Sequence, residues 1–134
     1  MTRLTTIEGI GEVYSQQLAE MGIQTTEQLL EKGSSPAGRK ELVEKTGISS
    51  SLILKWVNRA DLFRIKGVGE EYSDLLEIAG VDTVPELAQR NAENLYQKVV
   101  EANQEKNLVR RLPPQSAVRD WIEQAKKLPR AINY

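Results

Sequence analysis

Two five-residue runs are the parts of this chain best suited to chemistry: Ile7-Glu8-Gly9-Ile10-Gly11 and Ile65-Lys66-Gly67-Val68-Gly69. Each places two glycines one residue apart, just ahead of a polar helix start. Glycine reaches positive φ and lets another backbone come close, so Gly-x-Gly makes a tight turn between helices. Its central residue, Ile10 or Val68, can point inward and lock the turn to a core. The helix that follows starts with amides that have no intrahelical partner and with the positive end of its dipole, a combination that attracts anions. Arg64 and Lys66 flank the second run, but Glu70 and Glu71 follow it; Glu8 and Glu12 flank the first, with no adjacent base. Acids there stabilise the helix start and repel an anionic ligand.

Other chemistries are closed off. The 134 residues include no cysteine and no histidine. Disulfides, thiolate or imidazole metal sites and Ser-His-Asp or Cys-His centres are therefore excluded. Acid pairs such as Glu70-Glu71 or Glu41 and Glu44 read as solvated helix surface, because nothing else converges on them. No catalytic residue, metal site or cofactor is expected, and the chain is not read as an enzyme. No apolar run approaches the roughly 18 residues of a membrane span, and the first six residues form no signal-peptide core. A cytoplasmic protein with no membrane partner is expected.

A formal net charge of −1 argues against bulk attraction to a polyanion. The charges are unevenly placed, however. Residues 65–101 hold three bases against eight acids, whereas residues 102–134 hold seven bases against three acids. Arg110-Arg111 and Lys126-Lys127 are candidates for a basic patch; the alternative is a solvated face with ordinary bases near helix ends.

The elements that must position the turns are helices. Apolar residues recur at helical spacing, and alternating β-branched runs are missing. Val13, Gln17, Leu18 and Met21 fit one face, as do Leu52, Ile53, Trp56, Val57 and Ala60. Thr25-Thr26-Glu27-Gln28 and Thr83-Val84-Pro85-Glu86 read as capping boxes, and Ser35, Asn91 and Ser116 as further helix starts. Gly22, Gly47 and Gly80 read as left-handed helix ends. About eight short helices follow, near residues 12–21, 26–32, 36–46, 50–62, 70–79, 84–90, 92–103 and 116–128.

The two runs belong to a longer match at an offset of 58 residues, in which Leu18 pairs with Leu76, Gly22 with Gly80, Thr25 with Thr83 and Leu29 with Leu87. Trp56 and Trp121 match at an offset of 65, so the second copy carries about seven extra residues, placed around Leu112-Pro113-Pro114-Gln115. Two prolines there force an extended or turned stretch. The tryptophans are expected in the core, with base stacking as the alternative. Tyr14 and Tyr72, one turn past each glycine pair, are expected half-buried.

This pattern resembles the helix-hairpin-helix superfamily, whose motif is apolar-x-Gly-apolar-Gly with a small residue four positions on, here Ser15 and Ser73. The whole chain also resembles the tandem helix-hairpin-helix proteins labelled DUF4332, notably through Lys55-Trp56-Val57-Asn58-Arg59-Ala60-Asp61-Leu62 followed by Ile65-Lys66-Gly67-Val68-Gly69. The resemblance implies an all-α fold of two tandem repeats related by a pseudo-two-fold axis. One compact domain over residues 1–134 is expected, with repeat one at about 5–62, repeat two at about 63–128 and a short tail at 129–134. It also implies that Gly9, Ile10 and Gly11, and Gly67, Val68 and Gly69, face DNA phosphates. Lys66, Arg64, Arg110, Arg111, Lys126 and Lys127 are the candidate supporting bases. Double-stranded DNA, held weakly and in a salt-sensitive way without sequence reading, is the implied partner. The alternative is a protein partner on a scaffold that has lost phosphate binding.

Only six residues precede Ile7, so the first turn has no leading helix of its own. The Trp121 helix corresponds to the Trp56 helix that precedes the second turn. It is therefore expected to pack before the first turn, in the same chain or by exchange in a dimer.

Overall fold

The computed structural model describes residues 2–134. It is all-helical. Among the described residues the α-helices are α1 (Glu12–Ala19), α2 (Thr26–Gly33), α3 (Pro36–Thr46), α4 (Ser50–Leu62), α5 (Glu70–Ile78), α6 (Val84–Ala88), α7 (Ala92–Lys106) and α8 (Gln115–Lys127). A 3-10 turn over Leu4–Thr6 precedes them.

Local chemistry sets most boundaries. The Thr25 hydroxyl accepts the Gln28 amide at 3.1 Å, and the Gln28 side chain reaches back to the Gln24 amide at 2.7 Å. Ser35 caps α3 through the Gly38 amide at 3.1 Å, and Asn91 caps α7 through the Asn94 amide at 3.1 Å. Thr83 departs from expectation. It is buried and makes no side-chain cap, while Glu86 reaches back to the Asp82 amide at 3.4 Å. Gly47 ends α3 at φ 74°, and Asn107 ends α7 at φ 50°, three helical residues beyond the expected stop. Asn tolerates that left-handed conformation better than most residues.

The chain divides into two compact units, the first running to Asp61 and including Arg130–Tyr134, the second spanning Leu62–Pro129. The first unit buries Leu4, Ile7, Ile10, Leu18, Leu29, Leu42, Ile53 and Trp56. Close packing at the end of α2 depends on Gly33, where an added Cβ would come within 2.3 Å of a Val57 methyl carbon. The last five residues belong to this packing. Ile132 is buried, the Asn133 amide donates to the Ser34 carbonyl at 2.8 Å, and the Tyr134 hydroxyl meets Asn58 at 2.8 Å. Arg39 and Arg130 both lie 5.7 Å from the Tyr134 ring centroid, in reach of cation–π attraction.

One face of α1 is read differently in the structure. Val13, expected inward, is 70% exposed, and Tyr14 takes the inner position. The period explains it: Tyr14 and Leu18 are four apart and share a face, whereas Val13 lies five from Leu18 and turns away.

In the second unit α8 packs on α6 and α7, and α5 packs on α7. Leu62, Leu75, Leu76, Val81, Leu87, Leu95, Val99, Val118 and Trp121 form one buried cluster. Residues 107–114 are non-helical, as two prolines require. They are still anchored: Val109 is buried and its amide donates to the Asn103 side chain at 3.0 Å.

Candidate functional site

The two glycine turns have the same local geometry. Gly9 sits at φ 95° and Gly67 at φ 97°. Each turn closes through its central residue, with the Ile10 amide donating to the Ile7 carbonyl at 3.1 Å and the Val68 amide to the Ile65 carbonyl at 3.2 Å. The next glycine is the N-cap in both, Gly11 for α1 and Gly69 for α5, with no side-chain cap. Ile10 and Val68 are buried, while the four glycines are exposed. The central residues therefore anchor the turns, and their amides are already committed within them. Only the flanking main chain faces outward.

An aromatic pair supports each turn from beneath. Tyr14 packs on Trp56 with ring centroids 5.1 Å apart and planes at 58°; Tyr72 packs on Trp121 at 5.4 Å and 49°. The indole nitrogens lie 3.3 Å and 3.0 Å from where a Cβ on Gly9 and Gly67 would stand. Both tryptophans are thus core residues beneath the turns. Within each unit the helix beneath the turn is its own. The helix on the Gly9 turn is α4, through Trp56, and α8 covers the Gly67 turn, through Trp121. Each tryptophan fills the space that the missing Cβ leaves in its own unit. The Leu4–Thr6 turn supplies the lead-in that a helix was expected to give, with the Ile7 amide donating to the Leu4 carbonyl at 2.9 Å.

The candidate bases of the second unit are held in different ways. Lys66 is exposed, and its main chain is held on both sides by Gln124 of α8: the Lys66 amide donates to Gln124 Oε1 at 2.8 Å, and Gln124 Nε2 donates to the Lys66 carbonyl at 3.0 Å. Asp120 Oδ2 accepts from Gln124 Nε2 at 2.9 Å. Arg64 is turned to a structural bond, donating to the Pro129 carbonyl at 2.6 Å. The Tyr72 hydroxyl, in the first turn of α5, donates to the Arg111 carbonyl at 3.2 Å, which fixes the Arg110-Arg111 loop beside that turn. Both arginines are exposed. Lys126 and Lys127 lie in the last turn of α8, just past Gln124, with Lys126 3.4 Å from Glu123.

The first unit carries acids at its turn. Glu8 and Glu12 are exposed there. Elsewhere in that unit Glu41 sits between two lysines. Hydrogen bonds from Lys32 at 2.6 Å and Lys45 at 3.2 Å hold Glu41 below the usual carboxylate range.

Gln124 and Asp120 were not among the sequence candidates. A signal existed: Gln124 stands three residues after Trp121 and so shares the face of α8 that meets the turn.

A helical chain with paired, aromatic-backed glycine turns and no strand or metal cluster among the described residues is the class defined here. The chain belongs to the family described as Domain of unknown function (DUF4332), which matches residues 8–128. No curated protein and no solved structure matches it.

Proposed function

We propose that this chain is a tandem helix-hairpin-helix module whose second turn, Lys66-Gly67-Val68-Gly69, holds a backbone phosphate of double-stranded DNA without reading sequence. The observation that carries the reading is at Gly69. Its φ of −108° suits any residue, and nothing lies within 4 Å of an added Cβ. Neither strain nor packing asks for glycine there. As the N-cap of α5 with no side chain, glycine leaves the first α5 amides open to close approach by an outside group. Lys66, Arg110, Arg111, Lys126 and Lys127 supply positive charge in the same unit, and Arg64 adds charge while its side chain holds Pro129. The match of both turns in dihedral angles, closing bonds and aromatic backing supports the tandem reading.

Titrating a plain duplex against the protein at increasing salt tests this. Affinity should fall by about 0.9 log units per log unit of salt for each phosphate contacted. Arg110→Glu combined with Arg111→Glu should weaken binding and flatten that slope. No binding at low salt overturns the proposal.

One observation favours a second reading for the first unit. Beside its turn, Glu8 and Glu12 accompany Val13, an aliphatic side chain 70% exposed. That surface suits a protein better than a phosphate. A stoichiometric protein partner lost in Val13→Asp would support it, and a partner indifferent to that change would remove it.

A further inference from the structure

The structure assigns to Gln124 a positioning role: its carboxamide fixes the peptide between Lys66 and Gly67 so that the Gly67 amide faces the phosphate. The inference rests on the phosphate reading above and names the residue that prepares the site.

No cis bond occurs among the described residues, so the Lys66 carbonyl and the Gly67 N–H point in opposite directions across one rigid plane. Gln124 Nε2 holds the carbonyl at 3.0 Å and so draws it toward α8. The Gly67 N–H must then point away from α8. Gln124 Oε1 also accepts the Lys66 amide at 2.8 Å, which fixes the preceding peptide plane. A primary amide provides donor and acceptor together, and this pairing uses both, as a rung of a sheet would. Asp120, one turn earlier on α8, takes the remaining Nε2 proton at 2.9 Å and settles which way round the carboxamide sits.

Gly67 needs such help. At φ 97° it occupies a region open to glycine alone in practice, and glycine has the greatest freedom to leave it. Trp121 packs beneath the turn but carries no acceptor, so it cannot orient the Lys66 amide. The first unit differs at this position. At the matching position of α4 stands Arg59, which has donors only and cannot accept an amide proton from Glu8. The residue matching Gln124 therefore cannot form this two-bond clamp at the first turn, whereas Gln124 forms it at the turn that carries Lys66.

The test uses the full chain, a plain DNA duplex and two variants. Gln124→Met keeps the length and removes both bonds. Gln124→Glu keeps the acceptor for the Lys66 amide but sets a carboxylate against the Lys66 carbonyl. At neutral pH each should bind duplex about tenfold more weakly, the effect of one to two lost hydrogen bonds. As pH falls toward about 4.3, the glutamic acid gains a proton and can donate again. Binding by Gln124→Glu, measured relative to the unaltered protein at the same pH, should then recover, while Gln124→Met should not. A residue that merely supported the fold would lower the melting temperature without this pH-dependent rescue of binding. If the unaltered protein binds duplex and both variants match it, or if Gln124→Glu never recovers, the Gln124 role is overturned and the phosphate reading stands. If the unaltered protein fails to bind duplex at low salt, the phosphate reading falls and takes the Gln124 role with it.

Discussion

The indole nitrogen of Trp121 lies 3.0 Å from the point where a Cβ on Gly67 would stand. That distance is tighter than ordinary van der Waals contact, and the position is also held at φ 97°. Two independent constraints thus select glycine at residue 67. At Gly69, two residues on, neither applies.

The contrast predicts unequal effects of the same substitution. Gly67→Ala should cost about 2 kcal/mol or more, since a left-handed backbone alone costs an L-residue roughly 1–2 kcal/mol and Trp121 must also shift. Gly69→Ala should cost less, about 0.5–1 kcal/mol, the difference between glycine and alanine as an N-cap without strain or clash. Chemical denaturation of both variants checks this. Equal losses would show that steric demand does not explain the pair. On the proposed phosphate reading, Gly69→Ala should also weaken duplex binding, by more than its small loss of stability accounts for.

Gln17 and Leu75 occupy matching places in α1 and α5, but only Leu75 suits its surroundings. Gln17 Oε1 is buried with no hydrogen-bond partner. A buried acceptor left unpaired costs about 1–3 kcal/mol, and an apolar replacement of similar size removes that cost. Gln17→Leu should therefore stabilise the protein by roughly 1 kcal/mol. A loss of stability on denaturant titration would mean that Oε1 finds a partner in solution.

These pairs also show what could be read from the chain alone. Helix limits were legible because Thr25, Ser35 and Asn91 cap their helices and Gly47 ends one, all by local chemistry. The glycine turns and the tryptophan core positions were legible from spacing. The partner of α8 was not. Two turns of nearly identical sequence offer the same surface to either tryptophan, and only tertiary packing decides between them. Gln124 was hidden because its partners are main-chain atoms of Lys66, which carry no residue signature. Residues 130–134 were too few to show any period, so the burial of Ile132 could not be foreseen.

Glu41 provides a pH test within the first unit. Its folded-state pKa lies below the ordinary value because of hydrogen bonds from Lys32 and then Lys45. A depressed carboxylate contributes stability above its unfolded pKa, about 4.3, and loses it as pH falls through the folded value. Glu41→Gln should therefore lower the melting temperature slightly at neutral pH, with the gap closing in acid. The effect should be small and shrink with added salt, because the groups are well exposed. A gap that widened in acid would contradict the assigned cause.

The first turn offers a gain-of-function test of the charge argument. Its backbone matches the second turn, with Gly9 at φ 95° against 97° and Gly11 equally open. What differs outwardly is Glu8, which stands where the second turn has Lys66. If charge alone silences the first turn, Glu8→Lys should steepen the salt dependence of duplex binding by about 0.9, the signature of one added phosphate contact. Stability should hardly move, since Glu8 is exposed. An unchanged slope would instead point to the missing carboxamide clamp, because Arg59 cannot orient the Glu8 amide as Gln124 orients Lys66. The same measurement therefore separates repulsion at the surface from disorder in the peptide plane, two causes that the shared backbone geometry leaves side by side.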